Sequence, residues 1–285
     1  MFSSKLAVSL ISAAAALAFA PAALATPTNT NKLTAIGLTD DGLLISFRLS
    51  SPADTSREIG SIQGLVTDTR LVGIDYRVQD GNLYGVGDAG GLYLVSTANA
   101  SASLVQRLSV ALSGNRFGVD FNPAANALRI ISDTGQNLRQ PLASPNLPTV
   151  NDAALNTGVG SPAPLVMGIT AAAYTNNDLS PATATTLFDL NVATGQVVVQ
   201  SPANSGIVVA TGSLAVPGLS GNASLDIHSD LNEAGETIGN RGFAALATAA
   251  GTRVYSVDLT TGRATDFGPV AARYSLRDIA LPLGQ

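Results

Sequence analysis

Cysteine and tryptophan are absent from the 285 residues, histidine occurs once, and charged residues make up only 12%. Without cysteine there is no disulfide scaffold and no thiolate-ligated zinc or iron–sulfur site. One histidine leaves no multi-histidine metal centre. A Ser–His–Asp arrangement would have to use His228, and no Gly-x-Ser-x-Gly elbow exists to present its serine. Soluble domains usually carry about 25% charged residues. Here low charge accompanies 46% hydrophobic residues, which excludes a disordered polyelectrolyte. Basic residues number 15 against 20 acidic ones, for a net charge of −5, and the arginines are scattered singly. Nucleic acid and anionic membrane surfaces are therefore not expected partners, because both are recognised through a basic face. Gly85-x-Gly87 and Gly90-Gly91 do not open onto a helix-like stretch, so no phosphate-cradling loop is read.

What is present begins with an address. Met1–Lys5 carries one positive charge, Leu6–Ala20 is an uncharged, mostly apolar run, Pro21 breaks it, and Ala23-Leu24-Ala25 supplies a small–x–small cleavage pattern. This is the layout of a secretory signal peptide, and the run falls short of the roughly 20 residues a spanning helix needs. The expectation is export to the periplasm or beyond, with residues 1–25 removed and no membrane span remaining. Residues 26–32 are expected to form a flexible lead, and residues 33–285 a single domain.

That domain repeats. A short strand ending in aspartate recurs as Val72-Gly73-Ile74-Asp75, Phe117-Gly118-Val119-Asp120, Ala223-Ser224-Leu225-Asp226 and Ser275-Leu276-Arg277-Asp278. A second strand follows at Thr34–Leu38, Leu83–Gly87, Leu128–Ser132, Ile169–Tyr174 and Gly242–Leu246, and a third follows each of these. Ala193-Thr194-Gly195 and Thr260-Thr261-Gly262 read as hairpin turns, with glycine at the positive-φ position. Short strands recurring about every 40–50 residues predict an all-β fold, a β-propeller of five four-stranded blades. The first unit lacks an aspartate-ending strand, and the last such strand has nothing after it. Pairing the C-terminal segment with the N-terminal one closes the ring and removes its exposed edges. The fourth unit is the weak point: its first strand is sought within residues 151–166, where Pro162 and Pro164 interrupt. Six blades, an irregular propeller or a β-sandwich remain open at this point.

If the ring forms, Asp75, Asp120, Asp226 and Asp278 stand near its axis. Clustered carboxylates raise one another's pKa and suit acid–base work or a divalent cation such as calcium. Equally, an aspartate at a strand end accepts backbone N–H bonds, a structural device repeated once per blade. Asp226, His228 and Asp230 alternate, so a strand would turn all three to one face as a candidate metal site. The weak match of the following residues to a calcium loop favours a polar loop with an exposed histidine.

Three further stretches carry a resemblance: Phe117-Gly118-Val119-Asp120-Phe121-Asn122-Pro123, Ser132-Asp133-Thr134-Gly135-Gln136-Asn137-Leu138-Arg139, and Thr170-Ala171-Ala172-Ala173-Tyr174-Thr175-Asn176. With the paired strands at residues 73–86, they resemble an exported bacterial family catalogued as domain-of-unknown-function family 4394, from about Leu33 to Leu283. The resemblance implies a secreted all-β protein and brings no reaction or catalytic residue. Within it, Asp133 and Arg139 are candidate ligand-binding residues, or merely fix a hairpin. The function expected is non-enzymatic binding of a ligand or protein, without a cofactor. A carboxylate-based hydrolase or lyase at the channel mouth, and a structural surface or matrix protein, are the alternatives.

Overall fold

The computed structural model describes residues 30–284; the expected signal peptide and residues 26–29 lie outside them. The described chain forms five four-stranded antiparallel sheets arranged as the blades of a propeller. From the axis outward, blade 1 is Leu276–Ala280, Thr34–Thr39, Leu43–Arg48 and Arg57–Ser61. Blade 2 is Leu71–Tyr76, Leu83–Gly87, Gly91–Val95 and Ala102–Arg107. Blade 3 is Phe117–Asn122, Ala127–Ser132, Asn137–Pro141 and the two-residue Val150–Asn151. Blade 4 is Ile169–Tyr174, Leu187–Asn191, Gln196–Gln200 and Val208–Ser213. Blade 5 is Leu219–Leu231, Thr237–Thr248, Gly251–Val257 and Ala264–Pro269.

The ring closes as the repeat requires: Leu276–Ala280 pairs with Thr34–Thr39, setting Ala280 opposite Ile36 and Ile279 opposite Gly37. Blade 4 departs from the expected assignment. Its innermost strand is Ile169–Tyr174 itself, which the repeat suggests as a second strand, and residues 151–166 are mostly irregular. Thr30–Lys32, within the lead expected to be flexible, forms a short 3-10 turn, and Thr30 Oγ1 accepts from Arg241 Nη1 at 2.8 Å.

Alternation along each innermost strand sends one set of side chains to the preceding blade and the other to the next. Apolar residues consequently gather in five clusters, one at each blade–blade contact. Phe243, Leu276 and Ile279 pack between blades 5 and 1, for example, and Phe121, Val119 and Leu92 between blades 2 and 3. Burial between blades is how sheets too small to stand alone become a domain.

Near the axis the strands approach so closely that side-chain size is dictated. A Cβ added to Gly118 would lie 2.5 Å from the backbone nitrogen of Ala172. Gly262 meets a different demand, with φ at +73° in the turn that begins at Thr260, a conformation that costs other residues dearly.

Candidate functional site

The innermost strands have free edges facing the channel, and their N–H groups need acceptors. The recurring aspartates supply them across blade boundaries. Asp278 Oδ2 of blade 1 accepts from Ile74 N of blade 2 at 2.8 Å, and Asp75 Oδ2 accepts from Phe121 N of blade 3 at 2.7 Å. Asp120 Oδ1 accepts from Tyr174 N of blade 4 at 3.0 Å, and Asp226 Oδ2 of blade 5 accepts from Leu281 N, just past blade 1's innermost strand, at 2.5 Å. In Asp75, Asp226 and Asp278 the second oxygen accepts from the next residue's own N–H. Blade 4 has Ala173 one residue before Tyr174, where Asp120 precedes Phe121. Its joint to blade 5 uses other groups: Thr170 Oγ1 with the backbone of Ala223, and Asn177 Nδ2 donating to Ile227 O at 3.0 Å.

The four carboxyls are buried. Oxygen atoms of Asp75, Asp120 and Asp226 lie within 4.8 Å of one another. Burial pushes the carboxyls of Asp75, Asp120 and Asp278 well above the ordinary carboxylate range, and the neighbouring carboxyls add to it. Asp226 is raised by burial to about 7, with the N–H bonds of Leu281 and Ile227 pulling the other way. Chemically, such a ring shares protons at neutral pH or holds a cation. Against the second use, most of its oxygens already accept N–H bonds, whereas calcium takes about 6–8 oxygen ligands.

The segment Asp226–Asp230 is strand, not loop, and His228 is buried, not exposed. Its Nε2 lies 3.5 Å from Asp230 Oδ1 without a hydrogen bond. Burial and the nearby Arg241 charge hold the imidazole below its usual pKa. Asp230 is instead gripped by Arg241 through two bonds of 2.9 and 3.1 Å. Asp226 therefore stands with the ring aspartates, while His228 and Asp230 belong to the Arg241 grouping. Asp133 and Arg139 stand apart from the ring and from each other. Asp133 Oδ1 accepts from Asn115 N at 2.9 Å beside the turn after Ala127–Ser132, and Arg139 pairs with Asp152 at 3.2 Å.

Sequence reasoning misses the surface above the ring. At the C-terminal ends of the innermost strands, a cleft of about 740 Å³ opens among the loops, walled by Val78, Leu179, Pro181, Leu231 and Leu283. Asp178 and Glu236 also line it, and among the described residues no basic side chain does. Burial pushes the Asp178 carboxyl up, but bonds from Thr237 and Ser180 more than offset this and leave it below its ordinary value. It is therefore charged at neutral pH. Further clefts open on the same face at other blades, one of about 630 Å³ beside Arg241 and Phe243 and one of about 340 Å³ beside Tyr174 and Gln200.

A family described as "Domain of unknown function (DUF4394)" matches residues 43–280. No curated protein matches the sequence. Among solved structures, a chain studied for the de novo evolutionary emergence of a symmetrical protein is 13% identical, with 89% of this chain and 100% of that one covered, at a TM-score of 0.46. A structural-genomics protein of unknown function from Bacteroides thetaiotaomicron is 10% identical, with 87% and 66% covered, at a TM-score of 0.43. Kuenenia stuttgartiensis hydrazine synthase is 12% identical, with 72% and 51% covered, at a TM-score of 0.41. Among the described residues, no helix is long and apolar enough to cross a membrane.

Proposed function

Since the chain belongs to the domain-of-unknown-function family DUF4394, and that membership names no reaction, we propose its function from the site: an exported, non-enzymatic propeller that binds a small molecule with an apolar body and a cationic end. One observation carries the reading. The cleft over the channel has leucine, valine and proline walls, and, among the described residues, two acidic side chains with no basic one. Its volume falls in the range of small-molecule sites, roughly 300–1,000 Å³. Apolar walls gain from excluding water, and the carboxylates fix which end of the ligand faces them. The axial aspartates support the non-enzymatic part. They are buried, and their oxygens serve the backbone of neighbouring blades rather than facing the cleft. Export rests on the signal-peptide layout of residues 1–25, and the secreted form should begin at Thr26 on N-terminal sequencing.

The test uses a lipophilic cation, rhodamine 6G, followed by fluorescence polarisation, with an anionic naphthalene sulfonate of similar size as the control. Saturable binding of the cation is expected, with the anion much weaker. Leu179 is 60% exposed, so Leu179→Lys should spare the fold. It should weaken the cation at least about tenfold, roughly 1.4 kcal/mol. Equal binding of both dyes, or no change in the variant, would refute the reading. The proximity of Asp75, Asp120 and Asp226 favours a second reading, in which the ring holds a divalent cation. Its test accompanies the pH prediction in the Discussion.

A further inference from the structure

Between blades 3 and 4, the cleft of about 340 Å³ is walled by Asn122, Tyr174, Thr186, Gln200, Ala203 and Asn204, among others. It is separate from the central cleft, and its chemistry is different. Gln200 is only 2% exposed. Its Nε2 donates to Ala203 O at 2.7 Å and to Asn137 Oδ1 at 3.3 Å, but its Oε1 has no donor among the described residues. Asp189 is fully buried, and neither of its oxygens has a hydrogen-bond partner among the described residues. The register pairs Leu187 with Gln200 and Asp189 with Val198, so Asp189 and Gln200 share one face of the blade. An unpaired buried acceptor is costly, and native proteins leave few of them.

The surrounding charge decides what kind of donor would answer. Burial raises the Asp189 carboxyl well above the ordinary range, with the Arg129 charge pulling the other way. Arg129, itself 2% exposed, bonds Asp152, Asn137 and Asn204 at 2.7 Å and Tyr174 Oη at 3.3 Å. Arg139 leans on the same Asp152 at 3.2 Å. Two guanidinium groups on one carboxylate leave a net positive charge behind the cleft, which repels a cation. The wall offers amides and hydroxyls, and no aromatic platform, since Tyr174 is 2% exposed.

We propose that this cleft is a second binding site, for a neutral, hydroxyl-rich small molecule about the size of a monosaccharide, held by hydrogen bonds with Gln200 Oε1 as a principal acceptor. The proposal stands independently of the central cleft. It is tested on the mature protein by saturation-transfer NMR with glycerol, myo-inositol and glucose, with choline and inorganic phosphate as charged controls. Saturable transfer is expected to at least one polyol and to neither control. Thr186 is exposed, so Thr186→Trp should fill the cleft and abolish the signal without moving the melting midpoint or the rhodamine 6G affinity. Gln200→Leu, checked for fold by circular dichroism, should weaken the signal at least about tenfold. The proposal fails if no polyol gives saturable transfer, if a charged control binds better, or if the signal survives Thr186→Trp.

Discussion

A chain stopped after Tyr274 should not fold. The missing segment is the innermost strand of blade 1, and it is the only strand there that comes from the far end of the chain. It buries Leu276, Ile279 and Leu281 between blades. At about 1.5–3 kcal/mol for each large apolar side chain, those three alone approach the whole net stability of a typical domain, about 5–15 kcal/mol. The stop also removes Asp278 and leaves Asp226 without the Leu281 N–H. The expected result is a chain without a cooperative melt by circular dichroism, eluting as expanded or aggregated species. Adding a peptide of residues 275–284 in excess should restore part of the signal. A truncated chain that melts cooperatively near the full-length midpoint would mean that the closure contributes little.

Stability should fall as pH rises from about 4 to about 7, the reverse of the usual acid denaturation. Unfolded aspartates titrate near 3.8, whereas in the folded ring Asp226 titrates at about 7 and Asp75, Asp120 and Asp278 are raised well above 3.8. Between those values the folded state holds protons that the unfolded state has released, so the stability slope is negative. A tenfold difference in proton affinity between the two states is worth about 1.4 kcal/mol, so the ring's contribution is on the order of a few kcal/mol. Asp40, Asp88, Asp178 and Asp258 are lowered instead, and their contribution is lost only as pH falls below about 4. The melting midpoint should therefore peak at about pH 4–5 and decline toward about pH 8. Asp226→Asn keeps an acceptor oxygen and removes one titration, so it should flatten the decline. A wild-type midpoint that is level or rising over this interval would contradict the account. Calcium added at about pH 8 should leave the midpoint unchanged. A calcium-dependent recovery, lost in Asp75→Asn, would establish the cation reading of the ring instead.

Both expectations rest on residues whose spacing is visible in the chain. Asp75, Asp120, Asp226 and Asp278 announce the blades because each must meet a backbone N–H at a strand edge, and that need recurs at the period of the fold. Blade 4 escapes because Ala173 stands where the pattern wants an acid and the joint uses Thr170 and Asn177. With its marker gone, Ile169–Tyr174 reads equally well as a second strand. His228 misleads for a different reason. The polar run around Asn232 and Glu236 reads as a loop, yet pairing with Thr237–Thr248 carries the strand on to Leu231. The central cleft leaves no signal at all in the sequence. Leu179, Leu231 and Leu283 come from separate connections with no shared period, and only closure of the ring brings them together. The same holds for Asp189 and Gln200, whose missing donors are a property of packing.

The hairpin of blade 5 has one more consequence. Its two strands run 13 and 12 residues, about twice the length of the other innermost strands. At the mouth, blade 5 runs on to Leu231, well past its axial Asp226, whereas the inner strands of blades 2 and 3 end at Tyr76 and Asn122, close after Asp75 and Asp120. A ligand bound as proposed would therefore meet a raised wall on the blade 5 flank, ending at Leu231, and a shorter rim on the other.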